Sequence, residues 1–219
     1  MKLLFFDMEF ADGRVPGSIY SIGYLETDEN FEILVPPTDL LINPDSTWNE
    51  YVEANILAYP KDTVEAAPKF PMFYGQLKEL FENADIAVGF AVNNDTRALC
   101  KDCARYELEP FQFRSFDTEK LCKKLEEHQS AHGLKGYVLA WCGKEPEHCH
   151  RSDGDAYATM QLLRAVCRTK HVTADMMIEA YPECVGSSLP VAKNTKMRQG
   201  KGVRRKKTRI GLRGRKILS

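Results

Sequence analysis

Apolar residues open the chain almost without interruption, as Leu3-Leu4-Phe5-Phe6, before Asp7, Met8, Glu9 and Phe10. A run this short and this rich in aromatic residues reads as a strand buried on both faces. Ser18 to Leu25 gives a second, part-alternating strand. Asp28-Glu29-Asn30 supplies turn chemistry and Phe31 to Val35 resumes the alternation, so the pattern predicts a three-strand meander. Pro36-Pro37 is expected to stop it, leaving a short apolar segment at Leu40-Leu41-Ile42 that ends at Asn43-Pro44. From about Pro71 the period lengthens, and Phe73, Leu77, Leu80 and Phe81 fall on one helical stripe. Asp85 to Phe90 reads as a compact strand, followed by a helix with Leu99, Cys103 and Tyr106 on one face. Phe111 to Phe116 predicts another strand, and Asp117 caps a helix carrying Leu121 and Leu125. The last clear helix starts near Gly154, with Ala156, Met160, Leu163 and Cys167 on its stripe. Beyond Val172 the pattern weakens.

Three strands followed by alternating helices and strands imply an α/β fold, with a mixed sheet packed against helices. With 219 residues, the chain reads as one domain over about 1–175, an extension over 176–192 and a tail over 193–219. Charge sharpens that division. The tail holds 12 Lys and Arg and no Asp or Glu, which leaves 18 basic and 31 acidic residues in 1–192, a net −13. An acidic body with a basic end suggests a polyanionic partner for the tail, where Arg204, Arg205, Lys206 and Lys207 are the densest cluster. A solvated segment or a localisation signal is the plainer reading of the same residues. Asp7 breaks the first apolar run too early for a secretory leader, and no stretch is long enough to cross a bilayer. Seven cysteines without such a leader suggest reduced thiols in a cytoplasmic protein. Cys100-x-x-Cys103, with Cys142, His148 and Cys149, invites a zinc site. Cys103 already sits on an apolar helical stripe, however, so buried thiols fit better.

The candidate chemistry begins with Asp7 and Glu9. On a strand, residues i and i+2 share a face, so both acids project together from a buried element. Unpaired buried carboxylates are costly, and hard divalent cations would remove the cost. Phosphoryl transfer is the chemistry that such sites most often run. Asp95 follows the strand ending at Phe90, Asp155 stands at the start of the last helix, and His150 precedes it by five residues. His148 and Asp153 have the same spacing as His150 and Asp155.

These residues carry a resemblance. Asp7-Met8-Glu9, the segment Gly89 to Asp95, and His150 through Asp155-Ala156 resemble, in order and placement, the three motifs of the DnaQ-like 3′–5′ exonucleases, the DEDD superfamily in its histidine branch. The likeness covers about residues 1–170, with weaker echoes at Ser21-Ile22-Gly23, Asp117-Thr118 and Gly133-Leu134-Lys135. It favours His150 over His148, because Asp155-Ala156 matches the family's ending. The chain departs from the family at Phe10, Phe90-Ala91 and Asn94, positions that bear on substrate contacts.

The resemblance implies a ribonuclease-H-like fold and a metal-dependent exonuclease acting on single-stranded or frayed 3′ ends of DNA or RNA. It implies two Mg²⁺ or Mn²⁺ ions held by Asp7, Glu9, Asp95 and Asp155, with His150 as general base. Met8 and Phe10 would contact the terminal base or sugar. A silent nucleic-acid-binding module with the same fold is the rival reading, and a polymerase or other protein partner is left open.

Overall fold

The computed structural model describes residues 1–15, 17–125, 127–147 and 150–188. His148, Cys149 and the whole basic tail, including Arg204 to Lys207, lie outside the described residues.

Strand β1 (Lys2–Phe10) pairs antiparallel with β2 (Ile19–Asp28), and β2 pairs antiparallel with β3 (Ile33–Leu41). On its other side β1 runs parallel to β4 (Ile86–Gly89), which is parallel to β5 (Arg114–Asp117). A short strand β6 (Val185–Ser187) closes the far edge antiparallel to β5, giving the order β3-β2-β1-β4-β5-β6. Central placement explains the sequence of β1. Leu3, Leu4, Phe5 and Phe6 are all fully buried, because helices cover both sheet faces.

The two faces carry separate cores. Leu3, Phe5, Val88 and Phe116 pack with Ala156, Met160 and Leu163 of the long helix α7 (Ser152–Lys170). Leu4, Phe6, Met8 and Ala87 pack with Leu77 and Phe81 of α3 (Tyr74–Asn83) and Leu99 of α4 (Asn93–Arg105). The predicted stripes on these three helices face the cores, fully buried on α7, while Phe73, Leu80 and Tyr106 at the other two are only partly buried. Thr118–Leu125 forms α5, directly after β5 as expected from the Asp117 cap.

Pro36-Pro37 does not stop the meander, since β3 continues through it to Leu41. Two physical features admit the prolines. The strand is at the sheet edge, and the register slips there, with Tyr24 opposite Thr38 but Glu26 opposite Val35. Two short helices, α1 (Glu50–Asn55) and α2 (Lys61–Glu65), follow in a stretch whose sequence shows no period. Helix α6 (Gly133–Cys142) also carries too little amphipathic contrast to be read beforehand. Beyond Val172, α8 (Ala174–Ala180) buries Met177 and Ile178 against the first core, and Ser188 bonds to Phe111 and Phe113 beside β5.

Candidate active site

Alternation along β1 sends Leu3, Phe5, Asp7 and Glu9 to the face covered by α7, and Met8 to the other. Asp7 lies opposite Gly23 of β2, and Glu9 opposite Ser21. Gly23 is where the start of α7 crosses the sheet. A Cβ there would stand 1.9 Å from the carbonyl carbon of Ser152 and 2.0 Å from the Asp153 nitrogen. Only glycine allows that approach, and it brings Asp155, in the helix's first turn, over the two strand acids. Carboxylate oxygens of Asp7, Glu9 and Asp155 all lie within 4.8 Å of one another.

The junction is fastened by a cluster of hydroxyls on Asp39 of β3. Ser21 Oγ donates to its carboxylate at 2.5 Å, Ser152 Oγ donates at 2.9 Å, and Tyr59 OH donates to the second oxygen. Asp39, Ser152 and Tyr59 thus join β2, β3, the loop after α1 and the start of α7. None of the three was singled out from sequence. Asp39 falls just past Pro36-Pro37, where no strand was expected, and Ser152 was read as loop.

Asp95 arrives by a different route. After β4 the chain turns through Ala91, whose φ of 56° is left-handed. Asp117 holds that turn by accepting from the Ala91 N–H at 3.2 Å, while also capping α5 through Glu119 and Lys120. Thr118 Oγ1 donates to the Gly89 carbonyl at 2.9 Å. Asp95 then sits in the first turn of α4, 6 % exposed, outside the 4.8 Å set but close enough to act electrostatically on Asp7 and Glu9.

His150 is exposed and also left-handed, with φ 65°. This conformation aims its backbone N–H at Asp155 Oδ2, 3.2 Å away. Left-handed backbone at non-glycine positions costs on the order of 1–3 kcal/mol and concentrates at functional sites. Here it occurs just before both downstream acids.

All four acids titrate high. Burial, then the charges of Asp95, Asp155, Glu9 and Asp39, push Asp7 well above the carboxylate range. Burial and the charges of Asp155, Asp95 and Asp39 push Glu9 up to about 8. Burial raises Asp95, helped by Asp117, and raises Asp155 against the opposing pull of His150. Among the described residues no lysine or arginine pairs with Asp7, Glu9, Asp95 or Asp155. A buried cluster of like charges without a counter-cation suits hard divalent ions, whose ligands are oxygens.

One expectation is revised. Met8 is 4 % exposed within the second core, so its side chain is not available to a base or sugar. Phe10 is partly buried and lines an open cleft together with Gly17, Asn94 and Ala98. Cys100, Cys103 and Cys142 belong to no metal-holding cluster among the described residues, and burial pushes the Cys103 thiol up to about 12.

A mixed sheet of this strand order, with acids on its central strand and at the starts of α4 and α7, defines a ribonuclease-H-like fold. The family model for the RNase T exonucleases matches residues 4–163, and the chain belongs to that exonuclease family, within the DnaQ-like DEDD superfamily. Comparison with curated proteins finds no match. Among solved structures, exonuclease X in complex with 5′ overhanging duplex DNA is 22% identical, with a TM-score of 0.58 over 81% of this chain and 98% of that one. The zinc-bound complex of E. coli exonuclease I with single-stranded DNA is 15% identical, with a TM-score of 0.70 over 83% of this chain and 43% of that one. Exonuclease I from Methylocaldum szegediense is 17% identical, with a TM-score of 0.66 over 83% and 43%. The chain spans less than half of either exonuclease I chain. Among the described residues no helix is long and apolar enough to cross a membrane.

Proposed function

We propose that the protein is a metal-dependent 3′–5′ exonuclease that hydrolyses the terminal phosphodiester of DNA or RNA and releases nucleoside 5′-monophosphates. The observation that carries this reading is the meeting, within 4.8 Å, of carboxylates from Asp7, Glu9 and Asp155, to which no lysine or arginine pairs among the described residues. Asp7, Glu9 and Asp155 would hold one divalent ion, and Asp7 and Asp95 would serve a second. When bound, Mg²⁺ or Mn²⁺ supplies electrophilic stabilisation of the charge that develops on the phosphoryl group and the departing oxygen. His150 takes the proton of the attacking water at its imidazole. Such a base contributes ~10²–10⁴-fold, roughly 3–5 kcal/mol of barrier. Phe10 stands beside Glu9 to meet the end of the strand. The DNA bound in the exonuclease X and exonuclease I structures supports a nucleic-acid substrate of this kind.

Incubation with 5′-labelled DNA and RNA, with Mg²⁺ or Mn²⁺ and with chelator, tests the proposal. A ladder of progressively shortened labelled strands in metal, absent in chelator, is the expected result. Intact strands in both metals would overturn it.

A further inference from the structure

Asp7 on β1, Gly23 on β2 and Asp39 on β3 pair in register across three adjacent strands, so the row presents one sheet face. Two strand spacings, roughly 10 Å, separate the backbones of its two acids. Gly23 puts no side chain between them, and the backbone of Ser152 and Asp153 crosses at that point. Asp39 nevertheless stands outside the set of carboxylates that meet within 4.8 Å.

Its oxygens are already engaged. Oδ1 accepts from Ser21 Oγ at 2.5 Å and from Ser152 Oγ at 2.9 Å, and Oδ2 accepts from Tyr59 OH. Both serines are fully buried, so their hydroxyls depend on acceptors inside the fold. Tyr59, between α1 and α2, is held in turn by the Arg151 guanidinium, 5.4 Å from its ring centroid, and Arg151 pairs with Asp153 at 3.1 Å. A carboxylate with three hydroxyl donors has little left to offer a cation as a ligand. Its charge remains beside the cluster and acts on both Asp7 and Glu9.

Helix α7 gives a second reason to single out this acid. Its N-cap residue, Arg151, makes no side-chain capping bond. The hydroxyl of Ser152, in the first turn, instead reaches across to Asp39 and fixes the helix start against β3. Ser152 stands three residues before Asp155, close to one helical turn, so this bond governs where Asp155 lies over β1. Negative charge at a helix N-terminus is also favoured by the unpaired N–H groups there.

We infer that Asp39 is a positioning residue of the cation site: it does not ligate, but its bond to Ser152 places Asp155, and its charge strengthens the hold on a divalent ion. The inference rests on the metal-dependent reading above and adds to it a residue that touches neither ion nor substrate. Carboxylates that support a cation site from outside the ligand set typically alter its affinity 10–100-fold.

Two variants of the full chain separate charge from geometry. In Asp39→Asn the amide oxygen keeps both serines and the amide NH₂ donates to Tyr59 OH, so the bonds stay while the charge goes. Its affinity for Mn²⁺, titrated by electron paramagnetic resonance of the free ion, should weaken about tenfold. Its melting temperature in chelator should stay at or above that of the wild type, since one of several like charges has been removed. Asp39→Ala leaves two buried hydroxyls without their acceptor and should lose both Mn²⁺ affinity and melting temperature. Hydrolysis by Asp39→Asn should need about tenfold more Mn²⁺ to reach half its maximal rate, with excess Mn²⁺ restoring most of the turnover. Wild-type Mn²⁺ affinity in Asp39→Asn would overturn the inference. So would a lowered melting temperature in chelator together with turnover that excess Mn²⁺ does not restore, the mark of a bond that only supports the fold. If the wild type takes up Mn²⁺ and hydrolyses nothing, the exonuclease reading fails, and the binding comparison still decides the role of Asp39. A wild type that takes up no Mn²⁺ overturns both.

Discussion

Glu9 shows how a single side chain can hold stability and function in opposition. Its pKa rises from an ordinary 4.5 to about 8 in the fold, because burial and three neighbouring acids disfavour its charge. A raised acid binds more protons folded than unfolded. Its contribution to stability is therefore complete below about 4.5 and is lost as pH climbs through about 8. Asp7 adds in the same direction. We expect the melting temperature of chelator-treated protein to fall across that window, and Mg²⁺ or Mn²⁺ at the alkaline end to restore it. Asp7→Asn should flatten the fall, with about 2–4 °C recovered per kcal/mol, while abolishing hydrolysis. Scanning calorimetry at several pH values measures all three effects, and a melting temperature that rises with pH in chelator would contradict them. His150 poses a different question, since its backbone as well as its imidazole faces Asp155. The left-handed φ of 65° suits glycine, so His150→Gly removes the imidazole and spares the backbone bond to Asp155. Turnover should drop about a hundredfold with cation affinity kept. Single-turnover rates beside a Mn²⁺ titration would show it.

At the scale of elements, the site depends on how closely α7 can approach β2. Gly23→Ala places a methyl group inside the backbone of Ser152 and Asp153, which cannot yield as a flexible side chain would. The helix must shift and carry Asp155 away from Asp7. The cost should be ~1–3 kcal/mol of stability, together with loss of cation binding. Gly75→Ala, in open space on α3, is the control and should be neutral or slightly stabilising. Denaturant melts and Mn²⁺ titrations of the two variants should diverge; equal behaviour would dismiss the packing argument. The strands β1 and β2 and the stripes of α3, α4 and α7 were legible because one buried face imposes a period. Beta-3 beyond Pro36-Pro37 was not, since a proline reads as a stop until the strand is known to lie at an edge with a slipped register. Asp39 was hidden with it, and so was the hydroxyl clasp.

Across the whole molecule, charge is divided between an acidic body and a basic end. Divalent cations held at the acid cluster would answer part of the repulsion a nucleic acid would meet. The tail, outside the described residues, offers 12 further positive charges. We propose that it tethers substrate through phosphates. Deleting residues 193–219 should weaken oligonucleotide binding and flatten its salt dependence, by about 0.7 in slope per lost contact on single strands. Filter binding at several salt concentrations would detect this; an unchanged slope would assign the tail another role.

The sequence by itself determined which acids sit on a buried strand, which begin helices, and that a histidine precedes the last of them, because burial and capping leave local periods and spacings. Tertiary structure alone decided that residues 7, 9 and 155 meet within 4.8 Å, that Asp95 stands just outside, that Met8 is turned into the core and that a cleft opens beside Phe10. Those outcomes depend on contacts between segments far apart in the chain, where no local pattern records the distance.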